Sequence, residues 1–469
     1  MVLGFNNQKN KLTSAPGIGQ KPVDNMPPVP VPGPSRSFQQ GTSEVSDELE
    51  TDWTRKIHEM LMNALDLSLV TTMPERAARG QIREAAARLL DEESAPLSAS
   101  SRQRVVRGIE NEILGLGPLE ALLEDPSIAD ILINKYDSVY VERHGQLEKT
   151  RLTFRDDAHL RNIIDRIVTG VGRRIDESSP MVDARLKDGS RVNAIIPPLA
   201  IDGACISIRR FMKEKLSTDD LIAIGSMTDS MAEVMRAVVK SRLNILVSGG
   251  TGSGKTTMLN ILSGFISPRE RIVTIEDSAE LQLQQPHVIR LETRPANIEG
   301  KGEINQRDLV KNSLRMRPDR IIIGEVRGSE ALDMLQAMNT GHDGSLATLH
   351  ANTPRDALGR LENMIAMAGM QLPLSAMRSQ IAAAIDVVLQ LERMEDGSRR
   401  VTSIQEIQGM EGDIITMSEI FTYQRKGLDE DGKIMGQYQA TGLVPKFADK
   451  IKARGLGMDI NLFRPDEPL

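Results

Sequence analysis

Between Gly249 and Thr256 the chain reads Gly-Gly-Thr-Gly-Ser-Gly-Lys-Thr, and no other stretch of the 469 residues restricts the fold as tightly. Glycines, a lysine and a hydroxyl at these offsets form a phosphate loop, which works only between a strand and a helix. Both are at hand. Asn244-Ile-Leu-Val-Ser248 is a short apolar run suited to a buried strand, and Thr256 to Leu262 has helical character. Gly249, Gly250, Gly252 and Gly254, with Thr251, Ser253 and Thr257 around them, let backbone N–H groups converge on phosphate oxygens. Lys255 adds a charge near the terminal phosphates, and Thr256 can offer its hydroxyl to Mg²⁺. The expected ligands are therefore ATP and Mg²⁺.

A chain of 469 residues exceeds one ordinary core, so two or three domains are expected. The net charge of -7 and aromatic content of 3% supply neither a coating for nucleic acid nor stacking platforms for single strands, so no stable nucleic-acid partner is expected. Cys205 is the only cysteine, which removes intrachain disulfides and cysteine-only zinc sites and fits a reducing, cytoplasmic compartment. No apolar run approaches the ~18 residues of a membrane span, and Met1-Val-Leu-Gly-Phe lacks the start of a signal peptide. Membrane association is expected through partners, without direct insertion.

Residues 1–48 contain Pro27-Pro28-Val-Pro30-Val-Pro32-Gly-Pro34 and too few apolar groups to offset ordering entropy, so they read as a disordered tail. Residues 49–115 turn helical: Ile57, Met60, Leu61, Leu65 and Leu67 to Val70 form one stripe, Ile82, Ala85, Ala86, Leu89 and Leu90 a second, and Val105, Val106, Ile109, Ile113 and Leu114 a third. Three short helices imply a small bundle. Residues 116–213 read as an α+β domain, with strands at Ile131–Ile133, Val139–Val141, Arg191–Ile196 and Cys205–Ile208 and a helix from Ala158 to Val171. Arg173, Arg174, Arg185, Arg191, Arg209 and Arg210 fall near strand ends and turns there, where a guanidinium can reach a phosphate across an interface. The polar stretch 214–228 reads as a hinge, and 229–469 as the nucleotide domain with a C-terminal extension, opening on a helix from Asp229 to Lys240.

Two further strands deliver acids. Arg271-Ile-Val-Thr-Ile-Glu276 runs into Asp277 and Glu280, and ATP hydrolysis needs such a carboxylate to orient and deprotonate water. Arg320-Ile-Ile-Ile-Gly-Glu325 has the form of a Walker B strand with glutamate for the commoner aspartate, and Glu325 would hold Mg²⁺ through water. His342 and His350 flank a short strand, where a histidine can sense a γ-phosphate; with no cysteine nearby, zinc is the weaker reading.

In this order the phosphate loop, Thr274-Ile-Glu-Asp-Ser-Ala-Glu280, Ile321-Ile-Ile-Gly-Glu-Val-Arg-Gly328 and Gly341-His-Asp-Gly-Ser-Leu-Ala-Thr-Leu-His-Ala-Asn352 resemble the Walker A, Asp box, Walker B and His box of the type II/type IV secretion ATPases. The segments Pro180 to Asn193, Ile206 to Phe211 and Arg317 to Ser345 resemble the CpaF-type ATPases of the Tad/Flp pilus system. The resemblance covers about residues 50–460. It implies a PAS-like α+β domain hinged to a RecA-like α/β domain behind the helical bundle, a ring of six, and a motor for pilus assembly that works through inner-membrane platform proteins. Export of DNA or protein is the alternative. It further implies that Glu280 is the catalytic glutamate with Glu276 close behind, that Glu325 is the Walker B acid, that His342 and His350 form the His-box pair, and that Arg191, Arg209 and Arg210, with Arg174 and Arg185, contact phosphate.

Overall fold

A computed structural model of the chain describes residues 40–64, 73–143, 145–210, 216–296, 301–369 and 372–465. The chain divides into two compact units, residues 1–110 and 111–469. In the first, the helices Gln40–Ala64, Glu75–Glu92 and the start of Ala99–Leu114 bury Ile57, Leu61, Ile82, Ala86, Leu90, Val105, Val106 and Ile109, so each predicted stripe does face a core. The first helix starts at Gln40, inside the stretch expected to be tail. The prolines end at Pro34, and Ser43 to Glu50 is dominated by residues that helices accept. Pro27 to Pro34 and Leu65 to Val70 lie outside the described residues.

The second unit holds two sheets. Strands β1 (Ile128–Lys135), β2 (Ser138–Arg143), β3 (Gln146–Lys149), β4 (Met181–Arg185), β5 (Arg191–Ile195) and β6 (Cys205–Arg209) form an antiparallel sheet in the order β3-β2-β1-β6-β5-β4. Alternate residues of β1 and β6, Ile131, Ile133, Ile206 and Ile208, meet Leu160, Ile163, Ile164 and Ile167 of the helix Asp157–Gly170. That helix is capped by Asp156, whose carboxylate accepts from the His159 N–H. The β4–β5 hairpin places Arg185 and Arg191 opposite one another.

Lys213 to Lys215 lie outside the described residues, but the rest of the expected hinge is not simply a linker: Thr218–Ala223 is a helix. Its start is a capping box in which Ser217 and Asp220 satisfy each other's backbone N–H, a Ser-x-x-acid signal that the polar composition of the stretch obscures.

The second sheet has nine strands in the order β15-β14-β13-β12-β7-β11-β10-β8-β9. Six run parallel: β7 (Ile245–Gly249), β8 (Ile272–Glu276), β9 (Val288–Glu292), β10 (Arg320–Ile323), β11 (Leu346–Leu349) and β12 (Val387–Arg393). β13 (Arg399–Glu411), β14 (Ile414–Leu428) and β15 (Ile434–Ala440) continue it as an antiparallel meander. Both faces of the parallel part are covered inward of the half-exposed edge strand β9, which is why β7, β8, β10 and β11 are buried throughout. Ile245 and Val247 pack toward the helices Asp229–Lys240 and Lys255–Ser263, while Leu246 packs toward Glu330–Asn339 and Pro354–Met367. The protein is thus a mixed α/β chain with a β-rich part ahead of the α/β part.

Candidate functional site

Parallel strands present their carboxyl ends at one edge of the sheet, and ligands collect there. At this edge β7 runs into the phosphate loop, β8 ends at Glu276, β10 leads to Glu325 and β11 leads to His350. The loop needs its glycines: Gly252 and Gly254 sit at φ +71° and +95°, and a Cβ at Gly249 would run into the Leu391 carbonyl. Lys255 is almost fully buried, and its Nζ donates to the carbonyls of Gly249 (3.0 Å) and Gly250 (2.8 Å). Burial lowers its pKa to about 8, against the pull of Glu325.

Glu325 accepts from Arg327 at 2.8 Å and lies 3.1 Å from His350 Nε2. Burial works to raise its pKa, but the Arg327 hydrogen bond and charge, with His350 and Lys255, hold it below the ordinary value. It stays ionised. Burial and then the neighbouring Lys255 push the His350 pKa down, so the ring is neutral at pH 7. Arg327 also reaches Asp277 at 3.1 Å and so ties the ends of β8 and β10 together.

The two acids of the β8 loop have different surroundings. Glu280 lies on the wall of a cleft of about 1510 Å³ that runs from Asp130, Arg191 and Arg209 to the phosphate loop. Its Oε1 lies 3.0 Å from Arg191 Nη1, so this pair links the two sheets. Glu276 is buried behind the loop, and its Oε2 accepts the backbone N–H groups of Glu280 (2.7 Å) and Leu281 (2.9 Å). Among the described residues its Oε1 has no partner, and burial raises its pKa to about 7. A Cβ at Gly324 would meet Glu276 Cγ at 2.8 Å, so the strand beside it leaves only enough room for this side chain. Glu276 holds the backbone that carries Glu280 and does not itself line the cleft.

The arginines divide in the same way. Arg191 and Arg209 line the cleft, Arg209 donating to Asp130 at 3.2 Å. Arg210 also borders it, but its Nη1 donates to the carbonyls of Leu122 and Asp125 at the end of the helix Leu119–Glu124, so that nitrogen is committed to the fold. Arg185 lies outside the cleft wall and grips the loop before Glu280, donating to Ser278 Oγ (2.7 Å) and the Ala279 carbonyl (3.3 Å). Arg174 is exposed, pairs with Asp176 at 2.6 Å and is not part of the wall.

His342 does not join His350. It precedes β11, at the amino edge of the parallel strands, and its Nδ1 lies 3.3 Å from the Ala337 carbonyl. The strand between the two histidines holds them at opposite edges of the sheet, so the expected pair is one histidine at the site and one away from it.

Three of the cleft's six arginines fall outside the sequence-based assignments. Arg327 belongs to the quoted Walker B segment, where its charge beside Glu325 was legible. Arg393 and Arg399 come from β12 and β13, about 140 residues beyond the loop they reach, and only the Glu395-Asp-Gly-Ser398 turn hinted at their hairpin.

Residues 112–435 match the family model described as type II/IV secretion system protein. A putative conjugal transfer protein of Mycobacterium tuberculosis is 40% identical over 313 residues, covering 66% of this chain and 88% of that protein. The conjugal transfer protein TrbB of Rhizobium radiobacter is 34% identical, covering 66% and 92%, and the type IV secretion system protein PtlH of Bordetella pertussis is 35% identical, covering 62% and 93%. Among solved structures, the VirB11 ATPase of the Brucella suis type IV secretion system, in complex with sulphate, aligns with 62% of this chain and 92% of its own at 28% identity and a TM-score of 0.34. The family match spans the first sheet, all but the end of the second, and every motif at the carboxyl edge; the chain belongs to the type II/IV secretion system protein family and is an ATP hydrolase.

Proposed function

We propose that the chain is the motor of a conjugation-type or type IV export machine, turning ATP hydrolysis into relative motion of its two sheets. The observation that carries this reading is the Arg191–Glu280 pair across the cleft. A half-exposed ion pair of this kind contributes little stability, roughly 0–1 kcal/mol, and is easily exchanged. When ATP occupies the phosphate loop, its terminal phosphate competes for Arg191 and releases Glu280. Glu280 then takes a proton from water as the water oxygen bonds to the γ-phosphorus and the bond to the β,γ-bridging oxygen breaks. Arg209 adds charge from the same wall. Thr256 and Glu325 form a hard-oxygen donor set that suits Mg²⁺, which would neutralise charge on the β and γ phosphates. Hydrolysis removes the anion that drew Arg191 away, and the pair re-forms.

Assembly into a ring of six, with partners at the inner membrane, belongs to the same reading. Among the described residues no helix is long and apolar enough to cross a membrane. The conjugal-transfer and type IV secretion relatives favour export as the load. Tad/Flp pilus assembly is the second reading, favoured by Pro180 to Asn193, which forms the β4–β5 hairpin bearing Arg185 and Arg191.

The test has two parts. Specific ATPase activity is measured against protein concentration beside the particle mass, and a deletion strain of the source organism is scored for DNA transfer, protein export and surface filaments. Activity that climbs as a six-fold particle appears, with loss of transfer or export, supports the motor. Loss of filaments alone moves the load to the pilus. Flat activity in a monomer overturns the ring.

A further inference from the structure

Two guanidinium groups lie against the phosphate loop from the β12–β13 hairpin. Arg393 and Arg399 are directly opposed across the two strands, a placement in which like charges repel. Arg399 Nε donates to the Gly252 carbonyl at 2.9 Å. Arg393 lies over the same residue: a Cβ on Gly252 would meet its Nη1 at 3.3 Å and its Cδ at 3.7 Å. The other end of the Arg393 guanidinium crosses to the first sheet, where Nη2 donates to the Gly145 carbonyl in the β2–β3 turn at 2.7 Å. A Cβ on Gly145, at φ +83°, would meet that nitrogen at 3.3 Å. One side chain thus touches the loop that holds phosphate and the hairpin of the other sheet.

Charge is left over at this contact. Glu142, 4.0 Å from Arg393, is the carboxylate that faces the pair, and Lys255 adds a third cation to the same loop. An anion in the loop relieves the repulsion that otherwise works against holding Arg393 in place. Two events that stabilise the same arrangement are linked, and the linkage runs both ways.

We propose that Arg393 is a positioning residue that latches the β2–β3 hairpin to the phosphate loop, and that the latch tightens when a nucleoside polyphosphate fills the loop. The hairpin therefore responds to occupancy through a contact other than the Arg191–Glu280 pair. This rests on the phosphate-loop reading of Gly249 to Thr257 and goes beyond it, because the loop could bind nucleotide with no effect on the hairpin.

Hydrogen exchange across residues 138–149 of the full chain, with and without ADP, tests it. In the native chain ADP is expected to slow exchange there about five-fold or more. R393A is expected to bind ADP within about ten-fold of the native affinity, as loss of one partly exposed contact allows, while the hairpin loses its response. Its KM for ATP should rise with less change in kcat. An equal ADP response in R393A and the native chain overturns the latch, as does a native hairpin that binds ADP and does not respond. Should R393A not fold, R393K decides by the same two criteria, since lysine keeps the charge but cannot span Gly252 and Gly145 with a planar fork. A native chain that fails to bind ADP at all strikes the phosphate-loop reading instead, so the two failures are distinct.

Discussion

The two edges of the parallel sheet both hold charged clusters, and they differ in how completely those charges are paired. At the amino edge Arg320, fully buried, makes a bidentate contact with Glu270 (2.7 and 3.1 Å) and donates to the Gly344 carbonyl, while Arg242 adds a further contact to Glu270 at 3.1 Å. At the carboxyl edge Lys255 is held by two carbonyls, Glu276 Oε1 has no partner among the described residues, and Arg327 is divided between Glu325 and Asp277. The first cluster fixes one geometry. In the second, several groups have contacts that a phosphate can replace, which is what a site that cycles between occupied and empty requires.

The largest effect should come from the carboxyl edge. Lys255→Ala is expected to abolish nucleotide binding in a fluorescence titration, while Glu280→Gln keeps binding and loses about 10²–10⁴-fold in turnover, the usual contribution of a general base. Full turnover by the glutamine variant would move the base elsewhere. Arg320→Met probes the opposite edge: it takes the bidentate partner from the Glu270 carboxylate and leaves it the Arg242 contact, and should cost about 3 kcal/mol in denaturant unfolding, with the KM for ATP of the folded fraction unchanged. If that variant instead lost affinity while keeping its stability, the division between the edges would fail.

Much of this division could be read in the sequence, because strand and loop chemistry are local. The run before Gly249 and the helix Asp229–Lys240 appear as expected, and the acids at the ends of β8 and β10 reach the sheet edge that the phosphate loop occupies. Partner choice was not legible. Nothing in Arg209-Arg210 tells that Arg209, the last residue of β6, reaches Asp130 while Arg210, just beyond the strand, donates to helix-end carbonyls, because only the tertiary fold decides what each side chain meets. The same holds for Glu276 and Glu280: four residues apart in one motif, they are separated by a turn that buries one and presents the other. From the sequence the meander β13–β15 is visible only as a C-terminal extension, since its half-exposed strands carry mixed polar and apolar residues.

Glu276 gives a pH test of that separation. Burial raises its pKa from 4.5 to about 7. Below about pH 4.5 both folded and unfolded chains hold the proton, and the group costs nothing. As pH rises toward 7 the unfolded chain releases its proton while the folded chain keeps it, so stability falls across this window by roughly 3 kcal/mol and then levels. Glu276→Gln should flatten this part of the stability profile measured by denaturant unfolding between pH 5 and 8, while Glu280→Gln should leave it in place. Matching profiles for the native chain and Glu276→Gln would mean that the carboxylate is solvated and not a buried anchor.

The smallest effect is the most discriminating. If the His box acted as a pair, His342→Ala and His350→Ala would impair hydrolysis alike. His350 Nε2 lies 3.1 Å from Glu325, in the cleft wall, whereas His342 lies beyond the other end of β11 against the Ala337 carbonyl. His350→Ala removes the ring that sits 3.1 Å from the acid proposed to hold Mg²⁺ and should lower kcat by about ten-fold, the scale of an outer contact to a metal ligand. His342→Ala removes one long hydrogen bond at the amino edge and should change kcat less than two-fold, with a stability loss of about 1 kcal/mol. A ten-fold fall in kcat for His342→Ala in a chain of native stability would mean that the amino edge communicates with the site, and that fully paired and exchangeable charges do not mark separate tasks in this sheet.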